Sequence, residues 1–256
     1  MESIQYILTN TPTFMFVLVR TGAILLMAPI FGAMNVPMQV KLGLTLVLTL
    51  LLTPLAPPAA MPVGFASLAA SIGGELLIGA SIGLCIRFIF SGIEFAAQVA
   101  SFQMGLSMAS AYDPISSSQV TILGKMLSIL TILVFLSVNG HLMVLMALQN
   151  SFEVIPPYGL VISGGFIDAI VGFSKEMFIL AFKFSAPVVA ILIFVNIALG
   201  IMARIVPQIN MFVIGFAITI LVGFVMLAIS LPVFEIALTG VFDKMWQGVF
   251  DLMRVI

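Results

Sequence analysis

The chain has 256 residues, 62% of them hydrophobic and 7% charged, against about 25% charged in a typical soluble domain. Nine Lys and Arg with ten Asp and Glu cannot cover a soluble surface of this size, so the chain belongs in a membrane. The net charge of −1 and the single cysteine, Cys85, exclude a basic nucleic-acid footprint and an internal disulfide.

The N-terminus, "MESIQYILTNTP", has no Lys or Arg, so a cleavable signal peptide is not expected. No lipidation motif is expected either. Apolar stretches then follow at near-membrane length, about 20 residues. They run over 14–34 with Arg20, 40–61 with a proline-rich end, 64–90 with Glu75 and Arg87, 124–148 with Lys125, 177–203 with Lys183, and 211–231 with no charge. Six long helical segments are therefore predicted. Barrel strands are excluded, because the runs are too long and do not alternate.

Each charge inside such a segment costs about 2.5–3.5 kcal/mol against lipid. Their number predicts helices that face one another, partner subunits or water. "MAPIFGAMNVPMQVKLG" and "MARIVPQINMFVIG" read as hairpin tips, the second carrying Arg204, Pro207, Gln208 and Asn210. "NGH" at 139–141 reads as a break within the fourth segment. "IPPYGLVISGG" is the expected internal boundary, dividing the chain into 1–175 and a helical hairpin within 176–256. Val241, Met245, Trp246, Val249, Leu252, Met253 and Ile256 fall at helical spacing, as in an amphipathic C-terminal helix lying on a membrane surface or a partner.

Arg87, Ser91, Glu94, Gln98, Ser101 and Gly105 recur at steps of three and four, which puts them on one helical face. The stripe is about 27 Å long, close to the thickness of the bilayer core. Two readings stay open: a packing seam between subunits, or a face lining water. The seam leads into "GLSMASAYDPISSS", a helix end followed by a flexible polar loop. Asp113-Pro114 turns the chain and Ser116–Ser118 cap the next helix. Met104 and Met108, one turn apart, suit an adaptable seal.

Catalytic chemistry has little support. One His and one Cys make a metal site improbable, and the P-loop pattern is missing. Gly105-Leu106-Ser107 with His141 formally permits a serine protease, but so short a pattern occurs by chance. A subunit of an export channel and a small secondary transporter with broken helices both remain on physical grounds.

The ordered set "FQMGLSMASAYDPISSSQ", "LVFLSVNGHLMVLMALQNSFEVIP" and "ARIVPQINMFVIGF", with "RTGAILLMAPIFG" and "VPMQVKLGL" ahead of them, resembles the FliR family. These are flagellar biosynthetic proteins of the bacterial type III export gate. The likeness extends over nearly the whole chain. Its closest rival is the homologous subunit of virulence secretion, and the "YDP" and "NGH" elements resemble the flagellar branch. The resemblance implies an all-α, non-enzymatic membrane protein of kinked hairpins with no cofactor. It implies assembly with FliP-like and FliQ-like subunits into a helical channel, with FlhB-like and FlhA-like components around it. The substrates would be unfolded flagellar proteins, and the place the flagellar basal body in the bacterial inner membrane. On this likeness 1–175 is FliP-like and 176–256 FliQ-like. A plug loop falls on Met104, Gly105, Leu106, Ser107, Met108, Ala109, Ser110, Ala111, Tyr112, Asp113 and Pro114 and runs on to Ser118. Family members place aromatics in parts of this loop, whereas here Tyr112 is its only one.

Overall fold

In the computed structural model, the described residues are 10–32, 36–106, 122–157, 159, 164–208 and 210–256. They form seven helices: α1 (Thr11–Met27), α2 (Met38–Leu52), α3 (Phe65–Gln103), α4 (Ile122–Ser137), α5 (Gly140–Val154), α6 (Gly164–Ile205) and α7 (Met211–Val255). The protein is an all-α membrane protein. Helices α3, α6 and α7 are each long and apolar enough to cross a bilayer, and the bent pair α4–α5 supplies a fourth span if counted as one. The expected six long segments are thus reduced, because α1 and α2 are only 17 and 15 residues long.

Local chemistry explains these lengths. Proline in the first turn of α1 uses a position whose N–H has no helical acceptor. Helix α2 ends at Leu52; Thr53 keeps helical backbone angles and still donates to the Thr49 carbonyl, but Pro54 has no N–H with which to extend the ladder. In α2 and at its C-cap, the hydroxyls of Thr45, Thr49 and Thr53 donate to the carbonyls of Lys41, Thr45 and Thr49, at 2.8, 2.7 and 2.6 Å. Each hydroxyl is satisfied within its own helix, so the three threonines can be buried.

Two differences from the sequence reading, and one agreement, the break at Asn139, concern continuity. The apolar stretch 64–90 and the polar stripe are one helix, α3, of 39 residues, about 58 Å long. Between α4 and α5 the break falls at Asn139, whose φ of 56° is left-handed, a conformation asparagine tolerates better than most residues. The C-terminal apolar stripe continues α7 rather than forming a separate helix. Neither Pro232 nor Gly240 breaks α7, and no turn chemistry accompanies them.

The chain folds as two compact units. The first comprises Met1–Phe88, Leu136–Ser174 and Phe242–Ile256. Its core holds Phe16, Ile24, Ile78, Ile82, Phe152, Trp246 and Val249. Met245, Leu252 and Met253 are buried there too, so the C-terminal stripe is covered by the chain's own unit and not by a membrane surface or a partner. Gly79 and Gly83 bring α3 close to α1: a Cβ on Gly79 would lie 2.7 Å from the Ala23 Cβ, and one on Gly83 would collide with Met27. Gly248 leaves room for the Phe173 ring.

The second unit comprises Ile89–Phe135 and Lys175–Val241. Aromatic pairs in edge-to-face geometry link its helices: Phe90–Phe135 (α3–α4, 5.5 Å), Phe95–Phe178 (α3–α6, 6.0 Å) and Phe184–Phe234 (α6–α7, 4.4 Å). Gly92 lets α3 approach the backbone of α6 at Met177. Pro187 and Pro232 lie inside α6 and α7, and each removes one intrahelical hydrogen bond.

Candidate functional site

The root of the polar loop is built within the second unit. Helix α3 ends in a Schellman cap: the Leu106 N–H donates to the Ser101 carbonyl and the Gly105 N–H to the Phe102 carbonyl, both at 3.0 Å. Gly105 takes the left-handed conformation such a cap needs, with φ of 82°. The Phe216 ring packs so closely on Gly105 that a Cβ there would collide with it. One residue earlier, Met104 is wholly buried and fills the space left by Gly223 of α7. The Thr219 hydroxyl lies 3.2 Å from the Met104 carbonyl, to which it donates. Met104 therefore faces α7 in this structure, not an opening. Leu106 is half-buried beside it. Ser107, Met108, Ala109, Ser110, Ala111, Tyr112, Asp113 and Pro114, with the expected cap at 116–118, lie outside the described residues.

The polar seam is not uniform along α3. Arg87, Glu94 and Gln98 are exposed, Ser91 is half-buried and Ser101 is buried. The apolar residues between them divide by face. Ile89, Ile93, Ala96, Ala97 and Ala100 are buried, whereas Phe95 and Phe102 are exposed beside the seam. The helical spacing is as read from sequence, but the end nearest the loop turns into the protein.

At the α6–α7 turn, Arg204, Pro207, Gln208 and Asn210 are all exposed. Arg204 lies in the last turn of α6, where a cation complements the helix dipole. Asn210 caps α7: its side-chain oxygen accepts from the Val213 N–H at 3.4 Å, and its carbonyl from Val213 and Ile214 at 3.2 and 3.3 Å. The tip thus has turn chemistry of its own.

A further constellation in the first unit was not assembled by sequence reasoning. Arg20 and Glu75 are both fully buried and pair at 2.6 Å, Nε to Oε2. Arg20 Nη1 also donates to the carbonyls of Ser151 (2.6 Å) and Ile155 (2.9 Å) at the C-terminal end of α5. Its guanidinium sits 4.4 Å from the centre of the Phe152 ring. One side chain therefore ties α1 to α3 and helps to cap α5: it adds a second donor to the Ser151 carbonyl, which already accepts from the Ile155 N–H, and supplies one to the Ile155 carbonyl just past the helix end. The signal was present as two lone charges in apolar segments, but spacing alone could not match Arg20 to a partner 55 residues away.

Among the described residues no group of three His, Cys, Asp or Glu is placed to hold a metal ion. The site is one of packing, caps and a seam.

The profile of the family described as bacterial export proteins, family 1, matches residues 11–245. The flagellar biosynthetic protein FliR of Bacillus subtilis is 31% identical over 251 residues, 96% of each chain. That of Escherichia coli is 30% identical over 237 residues, 92% of this chain and 90% of its own. That of Pectobacterium carotovorum is 32% identical over 241 residues, 94% and 90%. With a profile match across nearly the whole chain and relatives of this identity at nearly full length, the chain belongs to bacterial export proteins, family 1, a family of flagellar export components rather than of enzymes.

Proposed function

We propose that the chain is a non-enzymatic subunit of the flagellar type III protein-export gate. It helps to form and close a channel for unfolded flagellar proteins in the inner membrane, at the flagellar basal body. In this reading residues 1–175 are the FliP-like part and 176–256 the FliQ-like hairpin. FliP-like and FliQ-like subunits cover the exposed apolar faces, and FlhB-like and FlhA-like components act around the assembly. Energy comes from those other components.

The observation that supports the closing role best is the anchored root of the loop. The Schellman cap at Gly105, the buried Met104 and the Thr219 hydrogen bond hold the end of α3 against α7. The segment that follows is small and polar in sequence, with Tyr112 its only aromatic residue. An anchored base followed by a small-residue segment is the combination this reading assigns to a plug.

Deleting Ser110–Ser116 tests the reading. The complex is expected to assemble, and the membrane to become leaky to ions or small solutes, measured as dye or ion flux in cells expressing it. Normal assembly with unchanged membrane tightness makes the segment a plain linker.

A further inference from the structure

Lys183 stands within an apolar surface. It lies in the middle of α6, is exposed, and takes part in neither of the two ion pairs found among the described residues, Arg20–Glu75 and Arg254–Asp251. Exposed apolar side chains precede and follow it along α6: Phe178 and Phe182 on one side, Ile193 and Phe194 on the other. On α7, Ile229, Val233 and Ile236 are exposed as well. Glu235 is at the same level. Lys183 directly precedes Phe184, Glu235 directly follows Phe234, and those two rings meet edge to face at 4.4 Å. The two charges nevertheless form no ion pair with each other, which leaves the Lys183 ammonium open to a group from outside the chain.

Beside Lys183 the second unit has a groove open at the surface, lined by Phe184, Pro187, Leu127, Leu227, Leu231 and Phe234. Lys183 lines the same groove. Water alone would satisfy the ammonium but leave these apolar residues uncovered. An apolar helix with one carboxylate meets both demands. A bulky side chain three or four positions from the carboxylate lies on the same helical face. It can fill the groove while the carboxylate reaches the ammonium.

We infer that Lys183 and this groove form a docking surface for an apolar helix of another subunit, and that an Asp or Glu on that helix pairs with Lys183. The distribution of apolar residues argues for a helix over a lipid. A phospholipid carries its phosphate at one end of its acyl chains, so it matches a cation with apolar surface on one side. A helix can place a carboxylate between apolar side chains, which matches a cation with apolar surface on both. The charge then acts as a selector. A helix that brings a cation, or no charge, leaves the ammonium covered and unpaired, which is costly. Glu235, also exposed, is the internal competitor for Lys183.

The inference rests on the reading of the chain as a subunit of a larger assembly. The full chain is expressed with its export partners, extracted, and its accompanying subunits and lipids are counted by native mass spectrometry. Lys183→Glu should lower the yield of one accompanying subunit by about tenfold or more, whereas Lys183→Arg should keep it. With Val233, an exposed residue of the groove, replaced by p-benzoylphenylalanine and Lys183 intact, light should cross-link the chain to that same subunit. Second-site mutations that restore swimming to Lys183→Glu should change an Asp or Glu in an apolar helix of that subunit to Lys, Arg or a neutral residue. Unchanged subunit yield and swimming in Lys183→Glu overturn the inference. So does restoration by Glu235→Lys alone, which assigns Lys183 to its internal competitor. Loss of a bound anionic phospholipid with every subunit retained also overturns it, in favour of lipid. Extraction of the wild-type chain with no other subunit instead overturns the proposed function, on which the inference stands.

Discussion

Arg20 shows how a charge can be kept in an apolar interior. Its Nε is used by Glu75, its Nη1 by two carbonyls at the end of α5, and its flat face by Phe152. Burial of such a pair is not by itself stabilising, because desolvation offsets most of the attraction. What the pair contributes is register: only one alignment of α1, α3 and α5 satisfies it. Removing one partner leaves the other charge buried and alone. Arg20→Met is therefore expected to destabilise the protein by about 3–5 kcal/mol, seen as a lower melting midpoint of the solubilised complex and a lower steady-state level in membranes. Arg20→Met with Glu75→Leu should recover much of that loss, since no charge is then stranded. A single variant as stable as wild type would remove Arg20 from the structural account.

At the scale of elements, the end of α3 is decided by one backbone conformation and one close contact. Gly105 has φ of 82°, where a Cβ is strained, and Phe216 occupies the place the Cβ would take. Gly105→Ala should therefore cost about 1–3 kcal/mol and loosen the Met104–Gly223 packing, lowering both the melting midpoint and swimming motility. Phe216→Ala on the Gly105→Ala background should relieve the collision but not the backbone strain, giving partial recovery. Full recovery would mean that the left-handed cap is dispensable. Long helices such as α6 and α7 survive an internal proline for a related reason: neighbouring side chains pack beside it, as Phe184 does on Phe234. Only hydrogen bonding near the proline is lost.

At the scale of the whole molecule, large apolar side chains are exposed in long rows. Along α6 these include Ile193, Phe194, Ile197 and Ile201, and along α7 Leu221, Phe224, Val225 and Ile229. Rows on this scale mark contact with lipid or with other subunits. Exposed Arg87, Glu94 and Gln98 on α3 have polar groups that hydrocarbon cannot satisfy. The chain expressed alone should aggregate or be degraded, and co-expression with its export partners should rescue it, followed by size-exclusion profile and membrane level. A monodisperse, long-lived monomer in detergent would count strongly against an obligate subunit.

Composition alone determined that the protein is helical and membrane-embedded, because so few charges cannot cover a soluble surface and the apolar runs far exceed strand length. Local chemistry was equally legible. The break at Asn139-Gly140, the turn around Pro207 and Asn210, and the helical face carrying Arg87 to Gly105 all follow from interactions within a few residues. Tertiary structure alone decided which distant groups meet. Arg20 finds Glu75 across 55 residues, Met104 finds Gly223, and the C-terminal stripe is buried by the chain itself, since pairing of that kind depends on how helices pack and not on their periodicity. It also decided continuity. Proline and glycine weaken a helix locally, and whether α3, α6 and α7 run on through such positions depends on the packing that compensates for the missing bonds.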